Sequence, residues 1–278
     1  MPNRKVIIKK FDTPLDFLEW ATSAPCVWRG RLASKEGTYS FTGTHSYEEA
    51  YNLAKFGWPE GVKMLKKEVE IAENILTPDK KPRKRFDVYG YRASPERAAA
   101  GEAFNMIRKG KTIKKRPIIK IRTNMTFNAS TSREHVMRWG AAICSYVNML
   151  ERQGQSVELT NVYESESNGP SVSFQFKLKA AEEKLSLASI VFWWAHPSSL
   201  RRIEFAADEK LDIEEWFGQG YGRHKNVTPV DDDTLFLSIN DAGYSMEENL
   251  EIIRKKHEKL LQRLDSQKPS ARSAQYRR

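Results

Sequence analysis

Only two cysteines occur in 278 residues, Cys26 and Cys144, each inside an apolar run with no second cysteine or histidine at ligand spacing. That excludes a disulfide framework and a structural zinc site, and both residues read as buried free thiols. Apolar runs are short as well. None approaches the roughly 18 residues that a membrane-crossing helix needs, and "MPNRKVIIKKFD" lacks the apolar core of a secretion signal. The expectation is a soluble, cytoplasmic protein. Histidines number five, at 45, 135, 196, 224 and 257, and none has a nearby Ser, Cys or Asp at a recognisable catalytic spacing. The three glycines of "FGQGYGRHKN" are not followed by the Gly-Lys-Ser/Thr of a phosphate-binding loop. Neither an enzyme nor a cofactor is expected on these grounds.

Positive charge is what the chain has in excess. The net charge is +10, and residues 80–122 alone hold fifteen Lys/Arg against Asp87, Glu96 and Glu102, a net of +12. Residues 249–278 add nine bases against three acids, whereas 204–233 hold nine acids against three bases. Clustering of this kind marks a polyanion partner, because scattered charge would serve solubility equally well. Candidate nucleic-acid contacts are therefore Lys80, Lys81, Arg83, Lys84, Arg85, Arg108, Lys109, Lys111, Lys114, Lys115 and Arg116, with Arg223 and Lys225 on a glycine-rich loop. Tyr89 and Tyr91 interleave with this charge and offer rings on which unpaired bases stack. The bland alternative is a solvated arm that meets an acidic protein. "KKPRKR" also passes as a low-specificity nuclear-import string.

Periodicity gives the organisation. Thr13-Pro14 reads as a helix start, Ser46 with Glu49 as a capping box, and Gly57-Trp58-Pro59 as a corner into a second helix that ends at Pro78. "TYSFTGT" at 38–44 alternates like a strand. Beyond "RPIIKIR", a strand, Thr131 and Glu134 form a second capping box for a core helix that closes at Gly154. "QSVELTNVYE" and "SVSFQFKLKA" flank the turn "SNGP" as a hairpin, expected at one sheet edge. "LSLASIVFWWAHP" follows as a buried helix, "LRRIEF" as a strand and "DTLFLSIN" as a buried strand, before a last helix capped by Ser245 and Glu248. The order predicts an α/β chain in four parts. A mostly helical N-terminal region with short strands spans 1–78, a basic connector 79–115, a Rossmann-like three-layer sandwich 116–265, and a disordered basic tail 266–278.

In such a sheet ligands collect beyond the carboxyl ends of the strands. The loop there offers Asn124, Thr126, Asn128, Ser130 and Thr131, an anion site in prospect at a helix N-terminus. The run Asp231-Asp232-Asp233 raises a metal-dependent nuclease, although neighbours in an extended segment point to opposite faces.

By the order of its elements the C-terminal part resembles the von Willebrand factor A fold, with Asn124-x-Thr126-x-Asn128 in the loop after the first strand. The metal-binding members of that fold carry Asp-x-Ser-x-Ser there, so the resemblance brings no metal site across. Residues 43–61 (Gly43-Thr44-x-Ser46-Tyr47-Glu48-Glu49-Ala50 through Gly57-Trp58-x-Glu60-Gly61), 87–106 and 138–154 resemble blocks of an uncharacterised family from tailed bacteriophages. That resemblance implies a phage source and action in the bacterial host cytoplasm, and no catalytic residues. The leading expectation is thus a phage nucleic-acid-binding protein, single-stranded DNA favoured, in replication, transcription or genome handling. The alternatives are a protein-binding adaptor or structural component with a metal-free A-like domain, and, more weakly, the nuclease.

Overall fold

Strand-forming runs rich in Ile, Val and Phe assemble the core sheet in this computed structural model, which describes residues 6–23, 36–75, 86–87, 92–102, 105–107, 118–128, 130–166, 171–211 and 230–266. In chain order the larger sheet contains β1 (Val6–Phe11), β5 (Ile119–Asn124), β6 (Val157–Glu166), β7 (Ser171–Lys179) and β8 (Thr234–Ser238). Their spatial order is β1-β7-β6-β5-β8. β5 lies between β6 and β8, parallel to both, with Ile121 opposite Leu159 and Leu235. β6 and β7 form the expected antiparallel hairpin. β2 (Phe86–Asp87), β3 (Arg92–Ala93) and β4 (Met106–Ile107) make a separate small sheet in the order β2-β4-β3, with the short helix α5 (Pro95–Ala99) between β3 and β4 in the chain.

The hairpin does not end the sheet. β1 adds beside β7 in parallel, pairing Lys9 with Phe174 and Phe11 with Phe176. The first strand of the expected N-terminal region therefore belongs to the same sheet as the expected sandwich, and one apolar core runs across both. Phe17, on α1 (Pro14–Thr22), makes the junction. Its ring lies 4.9 Å from Phe176, 5.7 Å from Phe174 and 6.1 Å from Trp193.

Alternation along the strands sorts the side chains. Ile121, Leu159, Tyr163, Phe174, Phe176, Leu235 and Leu237 share one face and are buried. The main helices on that side are α4 (Pro59–Ile75), α6 (Arg133–Arg152), α7 (Leu187–Ala195) and α9 (Met246–Ser266). Together sheet and helices form an α/β sandwich, as expected. A second helical layer on the opposite face is not among the described residues. That face carries Lys120, Arg122, Glu164, Ser173, Gln175 and Lys177.

Close approach decides two glycines. A Cβ at Gly140 of α6 would lie 2.9 Å from the carbonyl oxygen of Trp194, so α6 and α7 meet there backbone to backbone. A Cβ at Gly61 would meet the Trp58 ring at 2.0 Å. Trp58 therefore lies across the start of α4, with its edge on His196 at 4.5 Å and the Arg133 guanidinium 5.2 Å away.

Three local expectations are corrected. Residues 38–44 are not a strand: α2 (Tyr39–Thr42) is a single helical turn, closed when Gly43 turns left-handed at φ 77° and held by a Thr42 hydroxyl bond to the Thr38 carbonyl at 2.9 Å. Residues 200–205 are not a strand either. They lie in a π-helix (Ser199–Glu204) that runs on into α8 (Phe205–Leu211). Arg201 and Arg202 there reach back to the 37–44 segment: Arg201 donates to the Phe41 carbonyl at 2.6 Å, and Arg202 to the Thr44 hydroxyl at 2.7 Å and the Gly37 carbonyl at 2.8 Å. Finally, Ser132 and not Thr131 caps α6, its hydroxyl accepting from the His135 N–H at 3.2 Å. The other expected caps form at α1, at α3 (Tyr47–Phe56) and at α9. No helix of the described residues is long and apolar enough to cross a membrane.

Candidate functional site

Beyond the carboxyl ends of β5 and β8, the loop into α6 and the turn into α9 enclose a cleft of about 480 Å³. Ser130, Thr131, Ser132, Glu134, His135 and Arg138 line one wall; Ile239, Asn240, Ala242 and Tyr244 line the other. The walls are tied together where Arg138 donates to the Tyr244 carbonyl, and where Asn240 donates to the Thr126 carbonyl at 3.1 Å. The Tyr244 ring is 85% exposed and sits 6.0 Å from the His135 ring. Partial burial, with the Arg138 charge beside it, holds His135 below the ordinary imidazole range, so it is neutral at pH 7. Hydroxyl donors, a guanidinium and the N-terminus of a 20-residue helix suit this cleft to an anion, with the Glu134 carboxylate as an opposing charge.

Of the five residues expected to hold an anion, the structure brings Ser130 and Thr131 to this cleft. Asn124 and Thr126 face inward. The Asn124 amide oxygen accepts from the Thr126 N–H at 3.0 Å, and its NH2 group donates to Glu164 at 3.4 Å. The Thr126 hydroxyl accepts from the Glu164 N–H at 2.8 Å. Glu164 is itself fully buried and ion-paired to Arg122, with the Ser173 hydroxyl at 3.2 Å. Asn124 thus serves the buried Glu164 carboxylate and Thr126 the Glu164 backbone N–H, and neither side chain is turned to the cleft. The Asn128 side chain is exposed, while its carbonyl accepts from Arg201 at 3.3 Å.

The basic candidates Lys80, Lys81, Arg83, Lys84, Arg85, Arg108, Lys109, Lys111, Lys114, Lys115, Arg116, Arg223 and Lys225, and the rings Tyr89 and Tyr91, lie outside the described residues. Within 80–122, Arg92 is exposed, Arg97 pairs with Glu102 at 3.1 Å, Lys120 with Asp233 at 2.7 Å, and Arg122 with Glu164. Asp231 to Asp233 precede β8, at the end of the sheet opposite the cleft, and no group of three His, Cys, Asp or Glu among the described residues could hold a metal. Cys144 is free and buried, with its thiol pushed up by desolvation. Cys26 lies outside the described residues.

The sequence reading missed Arg138, His135 and Tyr244. His135 and Arg138 are three residues apart on a helix already recognised, so they share a face; Tyr244 joins them only because β8 pairs with β5. It also missed Glu204 and Asp208, hidden by reading "LRRIEF" as a strand. Their four-residue spacing is the signal that a helical reading exposes.

A family model described as a domain of unknown function, DUF7192, matches residues 2–265. No curated protein and no solved structure matches the chain.

Proposed function

The chain belongs to the DUF7192 family, and from its own charge pattern we propose that it is a nucleic-acid-binding protein, with single-stranded DNA the favoured ligand. One observation carries the reading: residues 80–122 concentrate a net +12 in 43 positions of a chain whose total is +10. Internal ion pairs account for Arg97, Lys120 and Arg122, leaving the runs 80–85 and 108–116 as the polyanion-binding candidates. The cleft supports the reading from the folded part. An exposed Tyr244 ring gives a base a face to stack on, and the Ser130 and Thr131 hydroxyls with Arg138 give a phosphate its donors. Cytoplasmic action, in a bacterial host if the chain is of phage origin, belongs to the same proposal.

A gel-shift titration with single- and double-stranded oligonucleotides at two salt concentrations tests it. Neutralising about six phosphates on a single strand gives a slope of log K against log salt near −4. Replacing Lys80, Lys81, Arg83, Lys84 and Arg85 with alanine should make that slope shallower. Binding no tighter than micromolar at low salt would remove the proposal. The adaptor reading is favoured by Phe56, an exposed ring beside a groove lined by Ser46, Glu49, Asn52 and Leu53. A polypeptide partner that survives nuclease treatment and is lost in Phe56→Ala would support it.

A further inference from the structure

The junction of the π-helix with α8 encloses two carboxyl groups that no donor neutralises. Glu204 ends the π-helix and Asp208 follows one helical turn later; they are 0% and 2% exposed. All four carboxyl oxygens lack a hydrogen-bond partner, and neither residue has an ion pair among the described residues. A π-helical turn is itself rare and often marks a functional or movable segment.

Among the described residues, the surroundings supply no counter-charge. Glu209, on α8, adds a further negative field at Asp208. From β6, the Tyr163 hydroxyl lies within the field of Glu204 and is held neutral by burial. Tyr47 of α3 faces Glu209, and its hydroxyl too is buried without a partner. At the end of α7, His196 is neutral. The nearby cations are engaged elsewhere: Arg201 and Arg202 hold the 37–44 segment, with Glu49 of α3 the acid that acts on Arg202, and Lys210 donates to the Trp20 carbonyl of α1 at 2.6 Å. From α1, Asp16 is turned to its own cap, bonded to Thr13, and Glu19 is exposed.

We propose that Glu204 and Asp208 form a proton-operated lock: while both carboxyl groups are protonated, residues 199–211 stay packed against α1, α3 and β6, and loss of a proton releases that segment. The alternative to release is an isolated carboxylate in an apolar enclosure, the least favourable state for the group. α8 is seven residues long and continues directly from the π-helix, so the pair sits in one short unit that can open without dismantling the sheet. Desolvation pushes Glu204 up to about 8, and it raises Asp208 well above the ordinary carboxyl range, with Glu204 and then Glu209 adding to it. In the opened segment both carboxyls return to ordinary values near 4. Between those limits each ionising carboxyl makes opening about tenfold easier per pH unit, so the lock is shut in acid and weakens as pH rises toward 8.

Hydrogen exchange read by mass spectrometry on the full chain, from pH 5 to pH 9 and corrected for intrinsic exchange, tests this. Protection of the 199–211 peptide should fall at least about tenfold per pH unit between pH 6 and pH 8, while the 139–147 peptide of α6 keeps its protection. In the double variant Glu204→Gln/Asp208→Asn, protection of 199–211 should become independent of pH. If that variant does not fold, the contrast between the two wild-type peptides decides. Constant protection of 199–211 in the wild type would overturn the proposal, as would a variant that still loses protection. So would recovery of wild-type protection at pH 8 on adding magnesium or calcium, which would make the pair a cation site.

Discussion

His196 shows how one buried side chain ties pH to stability. Its Nδ1 accepts the Ser198 N–H at 3.1 Å, its ring stacks on Phe192, and Trp58 stands edge-on to it. Burial, reinforced by the Arg133 charge, holds its pKa down to about 3. The ordinary value in the unfolded chain is near 6.5, so protonation favours unfolding. The contribution of this ring is full above about pH 6.5 and is lost as pH falls toward 3, at roughly 1.4 kcal/mol per pH unit. In urea unfolding between pH 7 and pH 4, His196→Gln should therefore lose stability less steeply than wild type. Parallel curves would show that His196 does not set the acid limb. The Glu204 and Asp208 pair has the opposite sign, weakening its segment as pH rises, so the two features bracket a working range from opposite sides.

Among the elements, α6 offers the sharpest comparison between sequence pattern and realised geometry. Both Thr131 and Ser132 can cap, and Glu134 lies three residues beyond Thr131 as a capping box requires. The chain chooses Ser132, whose φ of −72° and ψ of 155° place its hydroxyl on the His135 N–H, while the Thr131 N–H closes a turn onto the Asn128 carbonyl at 3.0 Å. Ser132→Ala should cost about 1 kcal/mol in thermal or urea unfolding, whereas Thr131→Ala should cost only a few tenths. Equal losses would contradict the cap assignment. The cleft depends on this choice, because the turn before Ser132 sets Ser130 and Thr131 on its wall. The π-helix is similarly a product of its partners. Ile203 and Phe205 flank Glu204 with the alternation of a strand, yet Arg201 and Arg202 are both buried with donors committed to the 37–44 segment.

For the molecule as a whole, the first strand closes the sheet. Without β1, the outer edge of β7 is unpaired and Phe17 loses the Phe11 ring, whose centroid is 5.3 Å away. An exposed edge of this composition is an aggregation template. Deleting residues 1–11 should abolish a single cooperative unfolding transition, monitored by circular dichroism, or drive the protein into aggregates. A soluble, cooperative truncated form would show that the remaining four strands suffice. The charge pattern operates at the same scale. Neutral carboxyls at Glu204 and Asp208 leave residues 204–233 less acidic than their sequence reads.

Local, periodic features could be read from residue spacing alone. Helix caps at Thr13, Ser46 and Ser245, the corner at Gly57-Trp58-Pro59, the hairpin, the long helices α4, α6 and α9 and the α/β class all rest on contacts within a few residues, which spacing encodes directly. The concentration of basic charge is legible in the same way. Tertiary structure decided the rest. Only strand pairing could place β1 beside β7, because nothing within 6–11 records a partner 165 positions later. Only burial could turn Asn124 and Thr126 from anion donors into supports of the Glu164 carboxylate and backbone respectively, and leave the Glu204 and Asp208 oxygens without a hydrogen-bond donor. Long-range pairing and desolvation act between residues distant in the chain, and the same amino acid becomes surface, support or switch according to what that packing sets beside it.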